Sequence, residues 1–154
     1  MPLEIERKYL VSNLPNKWQD QRHEIIAQGY LFNSEAGVVR VRKKGNTYYQ
    51  TIKKRGKLVR EEIEFSLSES QFQYLWPYTK NSRISKTRYY FSFQSYTIEL
   101  DVFAGNLKNL VIAEVEFTSE EESNVFEPPD WFGKEVTQDQ RYHNSYLATH
   151  GLPR

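Results

Sequence analysis

Glu4, Glu6 and Lys8 alternate with Leu3, Ile5 and Tyr9 near the start of the chain. In an extended strand this puts two acids and a lysine on one face and the apolar residues on the other. The arrangement recurs. Arg40 and Arg42 alternate with Val39 and Val41, Lys53 shares parity with Thr51 and Tyr49, and Glu62 and Glu64 oppose Val59, Ile63 and Phe65. Lys86 and Arg88 form a further doublet, Glu99 and Asp101 oppose Ile98, Leu100 and Val102, and Glu114 and Glu116 oppose Val111, Ala113, Val115 and Phe117. An antiparallel sheet with one wetted face would also alternate. Solvation alone does not require doublets of one sign to recur from strand to strand.

Gathered on one surface, six cations (Lys8, Arg40, Arg42, Lys53, Lys86, Arg88) meet eight anions (Glu4, Glu6, Glu62, Glu64, Glu99, Asp101, Glu114, Glu116). Carboxylate oxygens, with neither Cys nor His in the set, suit a hard divalent ion such as Mg²⁺ or Mn²⁺. Paired arginines offer planar donor forks that match phosphate oxygens, and lysines add point charges. A metal together with a ligand carrying several phosphates in a row would use both signs.

The elements that must position these groups are mostly strands. Alternation bounded by turn residues marks them near Leu3 to Val11, Gln28 to Asn33, Val38 to Lys43, Thr47 to Lys54, Leu58 to Ser66, Arg83 to Phe93, Tyr96 to Phe103 and Leu110 to Thr118. Gly45-Asn46, Gly56 and the short Gln94-Ser95 link are hairpin signals, so neighbouring strands should run antiparallel. Helices are expected over Asn16 to Ile26, after Ser68 with Gln71 in capping-box spacing, after Ser119 with Glu122, and over Asp139 to His150 before Gly151. The class is α+β, mainly β. If the sheet closes, about eight strands leave room for one small ligand, with the charged face inside and the apolar face outside beneath the helices.

Bulk properties narrow the class of function. The 154 residues suffice for one domain, expected to span residues 1–154, and a formal net charge of +1 marks no global nucleic-acid or membrane-surface binder. Cysteine is absent, which excludes thiolate chemistry and disulfides. The acidic start lacks the features of a secretory signal and no apolar stretch is long enough to span a bilayer, so a cytoplasmic location is expected. His23, His143 and His150 are scattered and read as surface or packing residues; Gly45 and Gly56 read as turn glycines rather than a phosphate loop. Beyond Lys53, the run Lys54-Arg55-Gly56-Lys57 reads as a solvated hairpin tip, and Trp18, Trp76, Trp131 and Phe132 as cover for the barrel's exterior.

The ordered set Glu4-x-Glu6-x-Lys8, Arg40-x-Arg42, Lys53, Glu62-x-Glu64, Lys86-x-Arg88, Glu99-x-Asp101 and Glu114-x-Glu116 resembles the CYTH family, the triphosphate tunnel metalloenzymes, over essentially the whole chain. The tail from Gly133 through Asp139, Arg141, Tyr142 and Asn144 is similar to the ending of short bacterial members. The resemblance implies a closed eight-stranded antiparallel barrel, a tunnel that binds a triphosphate and holds Mg²⁺ or Mn²⁺. It implies metal ligands at Glu4, Glu6 and Glu116 with Glu114 beside them, and phosphate contacts from Lys8, Arg40, Arg42, Lys53, Lys86 and Arg88. Glu62, Glu64, Glu99 and Asp101 would orient the cations or help hold a second metal and the attacking water. The expected reaction is hydrolysis of a terminal phosphoanhydride, with inorganic tripolyphosphate the leading substrate. Cyclisation of ATP, as in class IV adenylyl cyclases, hydrolysis of thiamine or nucleoside triphosphates, and non-catalytic polyphosphate binding are the alternatives. A homodimer is compatible with the resemblance.

Overall fold

The computed structural model describes residues 3–54 and 59–154. Its strands are β1 (Leu3–Leu10), β2 (His23–Asn33), β3 (Gly37–Lys44), β4 (Thr47–Lys54), β5 (Val59–Leu67), β6 (Arg83–Phe93), β7 (Tyr96–Phe103) and β8 (Val111–Glu116). Three short helices, α1 (Glu69–Leu75), α2 (Glu120–Val125) and α3 (Asn144–His150), lie between or after them. Every strand pair is antiparallel, and hydrogen-bonded neighbours run β1-β5-β4-β3-β2-β6-β7-β8 in a closed barrel. Among the described residues the β1–β5 seam pairs Leu3–Ile5 with Val59–Glu61. Among the described residues no helix is long and apolar enough to cross a membrane.

The turns follow local chemistry. Gly45, between β3 and β4, takes φ 58, a conformation that costs a side-chain-bearing residue more than it costs glycine. Gly29 on β2 serves close approach instead: a Cβ there would lie 2.4 Å from the Thr79 side chain, which packs onto the strand from the turn after α1. Gly56 and most of the basic tip at 54–57 lie outside the described residues.

Two sequence-based helices differ from expectation. In place of a helix over Asn16 to Ile26 there is one 3₁₀ turn, Trp18–Asp20, and β2 begins at His23. β2 pairs with β6 from His23 and with β3 from Ile26, so ladder bonds outweigh a weak local helix preference. The C-terminal helix is split into a 3₁₀ turn, Gln140–Tyr142, capped by the Asp139 side chain, and α3, because His143 is extended at φ −71, ψ 139. The Ser68–Gln71 capping box forms in full, and the Ser119 side chain accepts from the Glu122 backbone N–H.

Apolar packing lies mainly outside the barrel and at one end of its interior. Outward residues of β1, β7 and β8, including Ile5, Tyr9, Ile98, Leu100 and Val115, pack with Phe117 and Phe126, with Trp18, Trp131 and Phe132 against them. Inside, Ile84, Phe103 and Ile112 continue the parity of Lys86, Asp101 and Glu114, and they gather with Leu107, Leu110 and Leu147 of α3. This apolar floor closes beneath the charged part of the lumen.

Candidate active site

Strand order sorts the charges. β5, β1, β8 and β7 are consecutive around the ring and carry Glu62, Glu64, Glu4, Glu6, Glu114, Glu116, Glu99 and Asp101. The complementary arc, β4, β3, β2 and β6, carries Lys53, Arg40, Arg42, Lys86 and Arg88. Lys8, on the acidic arc, and Glu24, on β2 in register with Arg88, are exceptions. An anionic wall therefore faces a cationic one across the lumen.

On the acidic wall, Glu6 is registered against Glu116, Lys8 against Glu114, and Glu99 against Glu114. Carboxylate oxygens of Glu4, Glu6 and Glu116 all lie within 4.8 Å of one another. Glu4 and Glu6 are buried beside Glu116. Burial, then Glu99, Glu4, Glu6 and Glu114, push the Glu116 carboxyl up to about 7. Burial likewise raises Glu99, against the pull of Arg88. A divalent cation would relieve this repulsion, and three clustered hard oxygen donors match what Mg²⁺ or Mn²⁺ takes.

The cationic wall is only partly neutralised. Arg88 Nε and Nη2 donate to the two Asp101 oxygens at 2.8 and 3.0 Å, and Nη1 lies 3.4 Å from Glu99. Lys86 Nζ donates to Asp101 Oδ2 at 2.6 Å. Burial pushes the fully buried Asp101 upward, but Arg88 and Lys86 overcome it and hold the group below the ordinary carboxylate range. Lys53 Nζ reaches Glu4 at 3.1 Å, and Lys8 Nζ lies 3.6 Å from Glu114. Arg40 Nε and Arg42 Nε, by contrast, are buried donors with no hydrogen-bond partner among the described residues. Burial, with Arg40 and Arg88 close by, lowers Arg42 to about 10, so it stays charged at neutral pH. A buried guanidinium N–H needs an acceptor, which an anionic oxygen or a water can supply.

Most of the sequence-identified groups meet at one cavity: Glu4, Glu6, Lys8, Arg40, Arg42, Lys53, Glu62, Lys86, Arg88, Glu99, Glu114 and Glu116 line it. Two do not. Asp101 is wholly buried behind Lys86 and Arg88, and Glu64 turns to Thr51 Oγ1 at 3.0 Å and Arg42 at 3.7 Å. Tyr30, Val38, Lys54, His143, Asn144 and Ser145 line the cavity as well. His143, read from the sequence as a surface or packing residue, thus lies at the cavity wall. Tyr30 shares parity with the buried Gln28 in a stretch without charged doublets, so alternation gave it no weight. The 143–145 segment arrives from the far end of the chain, and no strand periodicity could signal it.

Comparison with known proteins agrees with this arrangement. A curated inorganic triphosphatase of Nitrosomonas europaea is 44% identical over 148 residues, covering 94% of this chain and 96% of the relative. An inorganic triphosphatase of Acetivibrio thermocellus is 38% identical over 150 residues, covering 96% and 94%. A crystal structure of an inorganic triphosphatase superposes with TM-score 0.73 at 40% identity, covering 99% of each chain. The CYTH domain model matches residues 2–149, and with that span and those near end-to-end relatives the chain belongs to the CYTH domain family.

Proposed function

We propose that this protein is a metal-dependent triphosphatase that cleaves the terminal phosphoanhydride of inorganic tripolyphosphate, giving diphosphate and phosphate. The observation that carries the reading is the facing of a carboxylate arc and a cationic arc across one lumen, with Arg40 Nε and Arg42 Nε buried and without a hydrogen-bond partner among the described residues. Two similar proteins named inorganic triphosphatases support the substrate.

Glu4, Glu6 and Glu116 would hold the divalent ion, with Glu114 beside them. When bound, Mg²⁺ or Mn²⁺ polarises phosphoryl oxygens and neutralises charge. Arg40, Arg42, Lys53, Lys86, Arg88 and Lys8 grip the phosphate chain from the other side and stabilise the negative charge of a loose transition state. A water attacks the terminal phosphorus in line as the bond to the bridging oxygen breaks, and diphosphate leaves. Glu62, which lines the lumen, is better placed than Glu64 to orient that water. Glu99 and Asp101 act through Arg88 and Lys86 by fixing their donor groups. No covalent intermediate is required.

Phosphate release from tripolyphosphate, ATP and thiamine triphosphate, with Mg²⁺ or Mn²⁺ and with chelator, tests the reading, alongside an assay for cyclic AMP. Metal-dependent turnover led by tripolyphosphate is expected. Cyclic AMP formation, or tight tripolyphosphate binding without turnover, would overturn it.

A further inference from the structure

Lys86 is a cation whose side chain is almost wholly enclosed, at 1% exposure, yet it lines the lumen. Its Nζ donates to Asp101 Oδ2 at 2.6 Å and to Asn144 Oδ1 at 3.1 Å. An ammonium group has three N–H donors, so with two committed one remains. Asn144 is the first residue of α3, and it reaches the lumen because Leu147 on the same helix is buried in the apolar floor; Asn33 Nδ2 separately donates to the Ser145 carbonyl at 2.9 Å. The same segment also receives the other enclosed lysine: Lys8 Nζ donates to the Tyr142 carbonyl at 3.2 Å.

Resting on the triphosphatase reading, we infer that Asn144 is a positioning residue: its side-chain oxygen, together with the Asp101 carboxylate, fixes the Lys86 ammonium so that the remaining N–H addresses a phosphate oxygen. A neutral acceptor suits this task. A second carboxylate would cancel the charge that draws the phosphate, whereas an amide oxygen directs the donor without adding charge. The charged groups acting on Lys86 are Asp101 on β7, Arg88 on its own strand and Glu114 on β8, with the Phe103 ring 5.4 Å from Nζ. Burial lowers Lys86 to about 8 while Asp101 opposes the shift. Loss of the Asn144 acceptor therefore removes support from the charged form.

The test is a pH titration of the Lys86 side chain by NMR in protein labelled at the lysine ε-carbon, run on wild type, Asn144→Ala, Asn144→Asp and Asn33→Ala, beside tripolyphosphate kinetics and thermal unfolding. Asn144→Ala is expected to lower the Lys86 midpoint and cut kcat/KM about tenfold or more, as loss of a hydrogen bond to a charged group does. Asn144→Asp should raise the midpoint, which supplies the same information with opposite sign should the alanine variant fold poorly. Asn33→Ala, which removes the bond to Ser145, should lower thermal stability and leave the Lys86 midpoint in place. An unmoved midpoint in both Asn144 variants, or equal activity losses in Asn144→Ala and Asn33→Ala that track unfolding temperature, would reduce Asn144 to a helix anchor. A wild type without tripolyphosphatase activity refutes the reaction, while the NMR midpoints still decide the role of Asn144.

Discussion

Glu6 on β1 stands directly across from Glu116 on β8 in the antiparallel register. Directly opposed like charges destabilise a sheet, and the cost should be visible in pH dependence. The Glu116 pKa is raised from 4.5 to about 7, so the folded state holds its proton more tightly than the unfolded state does. The metal-free protein should therefore lose stability as pH rises from about 4.5 through about 7. Differential scanning fluorimetry in chelator should show the unfolding midpoint falling over that window, with the fall reduced in Glu116→Gln; a slope unchanged by the substitution would contradict the account.

Relief of that repulsion by a divalent cation gives a second expectation. Mn²⁺ should bind more tightly at pH 8 than at pH 6, since occupancy displaces the Glu116 proton. Glu6→Gln and Glu116→Gln should each weaken binding by at least about tenfold and abolish metal-dependent turnover while the far-UV spectrum stays native. Isothermal titration with Mn²⁺ measures the first effect and phosphate release the second. Unchanged turnover in both variants would remove these carboxylates from the site.

Asp101 should matter for stability as well as for positioning Lys86 and Arg88. It is 0% exposed and bonded to both Lys86 and Arg88, so Asp101→Asn leaves two buried cations short of a counter-ion. Breaking a buried pair in this way costs about 3–5 kcal/mol. Chemical denaturation of the variant against wild type checks that figure.

Arg42 should behave in the opposite sense. Its guanidinium is depressed to about 10 by burial and by Arg40 and Arg88, so Arg42→Met should leave the ligand-free unfolding midpoint unchanged or higher. Its loss from the phosphate grip should raise KM for tripolyphosphate by about tenfold or more. A variant with an unaltered KM would place Arg42 outside the substrate contacts.

Leu147 ties the site to the floor of the barrel. It is 2% exposed among Ile84, Phe103, Leu107, Leu110 and Ile112, and Leu147→Ala should cost about 2–5 kcal/mol. Because α3 carries Asn144, activity should fall as well, and both effects can be read from one set of denaturation and kinetic measurements.

Period-two alternation by itself determined which side chains share a face, because side-chain direction in a strand depends only on position along it. That was enough to group Glu4 with Glu6 and Lys8, Arg40 with Arg42, and Glu114 with Glu116, and to name the chemistry of hard metal and phosphate. It could not determine which strands are neighbours. Glu116 meets Glu6 only because β8 pairs back onto β1 across more than a hundred residues of chain, and the segregation of acids from cations exists only in the ring order. Nor could alternation separate Glu62, which lines the lumen, from Glu64, which bonds to Thr51, since equal parity does not fix where a side chain ends. The tertiary structure also decided the part played by His143, Asn144 and Ser145. They sit in an extended residue and a short helix whose local pattern carries no sign of the lumen, and only the burial of Leu147 in the barrel's apolar end brings them beside Lys8 and Lys86.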